Sequence, residues 1–331
     1  MKKDQVFVVG VDVSKATFDV YFLNQKGKKQ QLKLMNNKDG FLHLLSFLPK
    51  KEKLKVVMEA SGPYYYPLAS FLFEKDIEVA VMNPLVIKRF CQMQLQRTKT
   101  DKADAKAIFQ YGSLMQTKSW QPLKEAYLKI KQLYSRRKEL VKHQKASLQQ
   151  LESFKATGQL DKWLEEQLLA DILKLKEDLK KIDTKLEELI EKENAALKEQ
   201  LESIPGIGPK ASLLLIVCLR GFEGFENYRQ VISYLGLSPR TFESGTSVKG
   251  KARICKMGMG QIRACLYMAA ISAKKCNKAC KEIYERLRAK GKAHKQAMIA
   301  VVNKLIKQAF ALVQSGEMFN PEYRLNHSKT K

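Results

Sequence analysis

Residues 5–23 read "QVFVVGVDVSKATFDVYFL". The first nine are rich in β-branched and aromatic residues, and "ATFDVYFL" alternates apolar with polar, so the stretch predicts two strands joined by a short turn. A third strand, "KQQLKLM" (29–35), follows the turn-forming "NQKGKK". Working outward, the apolar spacing changes to that of a helix in "KDGFLHLLSFL" (38–48). It returns to a strand in "KVVMEA" (55–60), a helix in "YYYPLASFLFEK" (64–75) and a strand in "IEVAVMN" (77–83). Two more helices are expected in "PLVIKRFCQM" (84–93) and "TDKADAKAIFQYGSLM" (100–115). Three consecutive strands followed by alternating helix and strand predict an α/β layer built on a mixed sheet.

Beyond residue 120 the composition shifts. Gly and Pro nearly vanish up to residue 200, and Lys, Glu, Leu and Gln dominate. One long helix is expected from Leu123 to about Phe154, with a break at "KATGQ". A second carries Leu168, Ile172, Leu175, Leu179, Ile182, Leu186 and Leu189 at alternating spacings of four and three, the seam of a coiled coil. That seam fits an intramolecular hairpin or a dimerising coil equally well. The last third, from "LESIPGIGPKASLLLIV" (201–217), predicts short apolar helices separated by Gly-rich turns. The expected organisation is therefore a sheet domain over 1–120, a helical coiled-coil connector over 121–200 and a mainly α domain over 201–331.

The chain has 331 residues and a formal charge of +26. The hydrophobic share of 45% is that of a globular protein, so this charge belongs to folded surface. It favours a polyanionic partner, nucleic acid first and an anionic membrane surface second, because Lys and Arg displace condensed counterions from phosphates. From Lys249 to Lys295 there are 14 Lys and Arg against Glu282 and Glu285, a net of +12 in 47 residues. A merely solvated helical face would mix the signs, so this run is read as phosphate-contacting. No apolar run reaches the roughly 18 residues of a membrane span, and no signal peptide is evident, so a cytoplasmic location is expected. The six cysteines form no C-x-x-C pair, which favours reduced thiols over a zinc site.

Four carboxylates stand out. Asp12 ends the first strand and Glu59 ends the fourth. Asp101 and Asp104 lie in "RTKTDKADAKA" (97–107), where i, i+3 spacing puts them on one face of a helix among Arg97, Lys99, Lys102 and Lys106. Neighbouring strand ends converge at one edge of a sheet, and a helix crossing that edge adds two more oxygens. Two Mg²⁺ ions bridging the oxygens of a phosphodiester need such a cluster of hard ligands. Each acid also has a structural alternative. Asp12 could cap a turn, Glu59 could be an ordinary strand-end charge, and Thr98 with Asp101 matches a T-x-x-D helix start. The ordering of strand Asp, strand Glu and helix Asp pair is nonetheless the layout of ribonuclease-H-like nucleases, specifically the four-acid, RuvC-like variant of Holliday-junction resolvases.

Two further motifs lie downstream. "SIPGIGPKASLLLIV" has the form of a helix-hairpin-helix turn, in which Gly206 and Gly208 let backbone approach a phosphate; a plain helix–helix turn is the alternative. The G-K-[ST] ending of a nucleotide-binding P-loop is absent. In "SPRTFESGTSVKGKARICKMG", Ser244 precedes Gly245 in an expected loop, with Ser247 nearby and Lys249, Lys251 and Arg253 downstream. A serine nucleophile needs activation, and a scissile phosphate needs positive charge around it. His43, His143, His294 and His327 are too scattered in sequence to single out a base; a metal-held carboxylate cluster could supply the activation instead, and an ordinary turn residue is the alternative reading of a loop serine.

"VGVDVSKATFDV", "VVMEASGPYYYPLASFL", "VMNPLVIKRF" and "RTKTDKADAKAI" together resemble the N-terminal domain of DEDD-type insertion-sequence transposases. "LESIPGIGPKASLLLIV" and "YRQVISYLGLSPRTFESGTSVKGKARICKMGMGQIRACLYMAA" resemble their C-terminal transposase domain. The resemblance spans about residues 5–115 and 200–275. It implies metal-binding roles for Asp12, Glu59, Asp101 and Asp104, with Mg²⁺ (two ions; Mn²⁺ as a substitute) as cofactor. It implies that Ser244, the serine of the S-G pair, forms a covalent phosphoserine link to DNA; Ser247 is the rival. It also implies donor and target DNA as substrates, a non-coding bridge RNA as guide, a circular intermediate, and a dimer of dimers in which acids and serine meet across protomers. A Holliday-junction-type endonuclease that hydrolyses DNA with water would share the four acids and dispense with the serine. A non-catalytic binder would need no grouped acids at all.

Overall fold

The computed structural model describes residues 6–49, 53–95, 100–240, 243–244, 248–249 and 253–322. The chain divides into two compact units, Met1–Leu123 and Lys124–Lys331.

The first unit is a five-stranded sheet with helices on both faces. Strands β1 (Phe7–Val13), β2 (Thr17–Leu23) and β3 (Lys29–Met35) run antiparallel in sequence. Helix α1 (Lys38–Phe47) leads to β4 (Leu54–Glu59), which pairs with β1 in parallel. Helix α2 (Tyr66–Phe73) then leads to β5 (Glu78–Met82), parallel to β4, followed by α3 (Pro84–Met93) and α4 (Asp101–Leu114). The strand order is β3-β2-β1-β4-β5. This mixed sheet is consistent with the ribonuclease-H-like expectation.

Alternation along each strand sorts the side chains. Val9, Val11, Phe18, Val20, Val56 and Met58 face α1 and α2, where they pack with Phe41, Leu44, Leu68 and Leu72. The opposite face meets α3 and α4: Val57 and Ala80 pack with Ile87 and Ile108. Helix α4 lies directly on β1, because a Cβ at Gly10 would run into the helix backbone at Ala105 and Phe109. Asn37 and Asn83 cap α1 and α3 by accepting from Gly40 and Leu85 N–H, each at 2.9 Å.

The second unit is helical. Helices α5 (Glu125–Lys155) and α6 (Lys162–Glu202) pack on each other, joined at "ATGQLD", and the break expected at "KATGQ" lies there. Every seam residue from Leu168 to Leu189 is buried or half-buried. Arg137 on α5 grips Asp183 on α6 with two hydrogen bonds, Nε to Oδ1 and a terminal N–H to Oδ2. Then follow α7 (Pro209–Leu219), a 3-10 turn at Arg220–Phe222 and α8 (Tyr228–Tyr234). Four two-residue strands come next, β6 (Pro239–Arg240), β7 (Glu243–Ser244), β8 (Val248–Lys249) and β9 (Arg253–Ile254). Helices α9 (Gly260–Cys276), α10 (Lys278–Ala289) and α11 (His294–Ser315) complete it. Ile130, Leu186 and Ile190 of the long helices share one core with Leu215, Leu266, Val301 and Leu305.

Helix α11 is long and apolar enough, by length and composition, to cross a membrane. Lys304 and Lys307 interrupt it, so the sequence holds no contiguous apolar run of that length there. Its apolar stripe (Ala297, Met298, Val301, Val302, Leu305) is buried in the core of the second unit. All six cysteines are free thiols.

Candidate active site

Asp12 stands one residue before the end of β1, opposite Asp19 on β2. On the other side the parallel register pairs Val11 with Met58, so one residue further on each strand puts Asp12 beside Glu59. Strand alternation gives Asp12, Asp19 and Glu59 the same face as Gly10 and Val57, the face covered by α4. A row therefore crosses the sheet: Lys33 on β3, Asp19 on β2, Asp12 on β1, Glu59 on β4 and Met82 on β5. Both Asp12 and Glu59 are half-buried.

Helix α4 brings Asp104 to this edge. Gly112 contacts Val8 and Val57, and Ala105 lies over Gly10, so the helix runs antiparallel to β1 and its first turn reaches the end of the strand that carries Asp12. Cys91 on α3 ties the pieces together. It packs against the cluster of Val57, Ala80, Ile87 and Ile108. Burial pushes its thiol pKa up, and the charges of Asp104 and then Glu59 push it further, so both acids lie within electrostatic reach of one sulfur. Among the described residues, no three acidic, histidine or cysteine side chains stand close enough to hold a metal ion as a group. The acids share an edge and a face without closing into a ligand shell.

The start of α4 differs from the expected T-x-x-D cap. Thr98 lies outside the described residues. The cap is Thr100, whose hydroxyl accepts from Ala103 N–H at 3.2 Å. Asp101 therefore occupies the first helical position, not the third, and is not the reciprocal partner of a capping box.

Two residues near the acids were not picked out from the sequence. Asp19 is one, only 6% exposed on a strand; an Asp inside an otherwise apolar strand was the available signal. Asn36 is the other. Its amide donates to the carbonyls of Ser14 and Tyr64, at 3.0 and 3.1 Å. It thereby ties the chain two residues after Asp12 to the chain five residues after Glu59. Nothing in a lone Asn at a strand end announces such a clip.

In the second unit, Ser244 lies on β7, paired with Val248 of β8, and Glu243 pairs with Lys249. The β6–β9 pair, Pro239 with Ile254 and Arg240 with Arg253, lies outside it in sequence. The expected loop is thus a nested hairpin, with Ser244 at its inner end. Ser247 and Lys251 lie outside the described residues. Gly206, at φ +104, has the backbone of Ala273 where a side chain would go. Its missing Cβ serves helix packing, whereas Gly208 has open space around it at the start of α7.

Residues 9–154 match the DEDD transposase family of IS110 elements, described as "Transposase". Residues 198–285 match the family described as "Transposase IS116/IS110/IS902 family". The chain is an IS110/IS116-family transposase. It is 28% identical over 319 residues to a protein named "Pilin gene-inverting protein" from Moraxella lacunata, covering 94% of this chain and 97% of that one. A protein of the same name from Moraxella bovis is 28% identical over 322 residues, again 94% and 97% of the two chains. An "Insertion element IS110 uncharacterized 43.6 kDa protein" from Streptomyces coelicolor is 30% identical over 123 residues, 37% of this chain and 30% of that one. The enzyme class follows: this is a DNA transposase/recombinase. In this transposase the first family match runs past the sheet unit into α5, and the second runs from the end of α6 into α10 and includes the Ser244 hairpin.

Proposed function

We propose that the transposase cuts and rejoins DNA strands through Ser244, with Asp12, Glu59, Asp101 and Asp104 holding divalent metal. The observation that carries this reading is the strand register that puts Asp12 beside Glu59, with the first turn of α4 delivered to the same edge. The donors are all carboxylates, hard oxygens suited to Mg²⁺ or Mn²⁺. Bound there, two ions would neutralise charge building on the scissile phosphate and favour an ionised nucleophile. The Ser244 Oγ forms a bond to phosphorus as the bond from phosphorus to one deoxyribose oxygen breaks. The serine gives up its proton, and the departing oxygen gains one. Attack by a DNA hydroxyl on the phosphoserine reverses the exchange and frees the serine, so no bond energy is lost to hydrolysis.

Rejoining, not hydrolysis, is favoured by the relatives that match nearly the whole chain. A protein named for inverting a gene must reseal the strands it cuts. A junction endonuclease using water would need the acids alone. We further propose that a non-coding bridge RNA pairs with donor and target DNA, supported by the +12 run from Lys249 to Lys295, which suits nucleic-acid backbone of either kind. Assembly as a dimer of dimers would bring acids and serine of different protomers to one phosphate.

The test uses full-length protein with labelled donor and target DNA and the RNA encoded beside its gene. Wild type should leave a protein–DNA adduct that survives denaturation, and Ser244→Ala should leave none. Rejoining at the wild-type rate by Ser244→Ala would end the nucleophile assignment. Asp104→Asn should lower cleavage by about a thousandfold, the scale of losing a main electrostatic contributor, while RNA binding by gel shift stays within about twofold, because phosphate contacts come from Lys and Arg.

A further inference from the structure

We infer that a cavity between α5, α6 and α7 of the second unit receives one unpaired guanine, turned out of a DNA or RNA strand. This inference rests on the reading that the basic second unit contacts nucleic acid. The cavity has a volume of about 390 Å³, within the roughly 300–1,000 Å³ of small-ligand sites. Leu186 and Ile190 of α6 and Leu213 and Leu214 of α7 give it an apolar wall. Among the described residues, six charged side chains line it, Arg137, Lys198 and Lys210 against Asp183, Glu187 and Glu202. Three cations meet three acids, so the cavity favours neither a bare phosphate nor a metal ion. What suits it is a neutral body with apolar faces and polar atoms along its edge.

Glu202 is the anchor for that edge. Ser212 interrupts the apolar run of α7 and is fully buried, a costly place for a hydroxyl without a partner. Its Oγ lies 2.6 Å from Glu202 Oε1 and 3.0 Å from the Pro209 carbonyl oxygen, and the shorter contact, to a charged acceptor, takes the proton. The bond pins the half-buried Glu202 carboxylate at the cavity wall. Asp183 is engaged by Arg137, and Lys198 donates to Glu191 at 3.0 Å. A pinned carboxylate is best matched by two N–H groups side by side. Guanine offers that pair, N1–H and N2–H on one edge, whereas the other bases each bring one donor group to theirs. Burial pushes the Tyr134 hydroxyl up to about 12, so it stays a donor for an acceptor such as guanine O6. Lys210 lines the cavity and is exposed, which suits it to the phosphate left outside. A stacked base cannot enter, so the guest is a base already unpaired or flipped from its strand.

Fluorescence anisotropy of the full-length protein with short labelled duplexes tests this. The duplexes are fully paired, or carry one unpaired guanine, one unpaired adenine or one abasic bulge, each made in DNA and in RNA. Wild type should bind the guanine bulge about tenfold tighter than the adenine or abasic bulge, the scale of one good two-pronged base contact. A preference confined to DNA or to RNA assigns the guest to that strand, and a preference in both assigns it to either. Glu202→Gln keeps an oxygen for Ser212 and replaces the other acceptor by a donor. It should bring the guanine bulge down to the adenine level while the paired duplex stays within about twofold of wild type. A merely structural Glu202 would shift all duplexes together. Equal binding of all bulges by wild type, or a guanine preference kept by Glu202→Gln, overturns the inference alone. Should Glu202→Gln fail to fold, 6-thioguanine in the bulge decides with wild type: its photocrosslinks should fall on the α6 and α7 residues that line the cavity, and crosslinks only elsewhere overturn the inference. If wild type binds no duplex even at low salt, the nucleic-acid reading of this unit falls, and the inference falls with it.

Discussion

The acids of the first unit and the cations of the second are held in opposite ways. Asp12, Asp19 and Glu59 sit on strands whose register fixes their spacing, and a helix presses on them from above at Gly10. Lys275, Lys278, Arg286 and Lys290 stand exposed on or beside α9 and α10. The metal-binding role proposed for Asp12 and Glu59 demands placement to within a fraction of an ångström, and a strand edge clamped by a helix supplies that rigidity. A phosphate backbone has to be attracted along its length, which exposed long side chains do without fixed geometry. Perturbing the two regions should therefore fail differently, one sharply and one by degrees.

The largest expected effect sharpens the graded side. Replacing Lys275, Lys278, Arg286 and Lys290 together with Gln should lower the slope of log affinity for nucleic acid against log salt by about three to four, if each meets one phosphate. Across a fourfold change in salt that is roughly a hundredfold less sensitivity. Thermal unfolding should hardly change, because surface substitutions usually stay within about 0.5 kcal/mol. An unchanged salt slope would mean that the strand path lies elsewhere on the molecule.

The second perturbation breaks the rigid side. Gly10→Val puts a side chain where the backbone of Ala105 and Phe109 already lies. Overpacking of this kind costs about 1–3 kcal/mol, and a collision with helix backbone belongs at the upper end. Denaturant unfolding of the first unit should report that loss, and cleavage should fall further than stability does, because α4 carries Asp101 and Asp104 away from the sheet edge. Nucleic-acid affinity and its salt slope should remain those of wild type. A variant that unfolds earlier yet cleaves normally would show that α4 does not set the geometry of the site.

These contrasts also explain what the sequence made legible. The strands of the first unit are legible from their alternating or continuous apolar patterning, and the seam from Leu168 to Leu189 from its alternating spacing, because both report which side chains leave water; the strand order β3-β2-β1-β4-β5 appears only in the structure. The four acids were legible as strand-end and helix-start residues. Asp19 is hard to single out because its strand satisfies the alternation whether the position carries a charge or not. Asn36 was illegible for a different reason: its bonds to Ser14 and Tyr64 join chain segments 22 and 28 residues away, a relation that only tertiary structure creates. The Ser244 hairpin is not legible in the sequence because two-residue strands carry too little periodicity to register.

The smallest effect settles how the start of α4 divides its labour. A carboxylate at a helix start has two uses, satisfying free N–H groups or serving the site, and the sequence left both open for Asp101. Thr100 accepts from Ala103 N–H and so fills the capping role. Thr100→Ala should therefore cost about 1 kcal/mol in unfolding free energy, and Thr100→Ser much less, because serine caps as well as threonine. Asp101→Asn should cost only the few tenths of a kcal/mol due to the favourable charge at a helix N-terminus. Its metal-dependent cleavage should nevertheless fall far more than that of Thr100→Ala. If Asp101→Asn instead lowers stability by as much as Thr100→Ala and leaves cleavage intact, Asp101 is a structural acid, and the site rests on Asp12, Glu59 and Asp104.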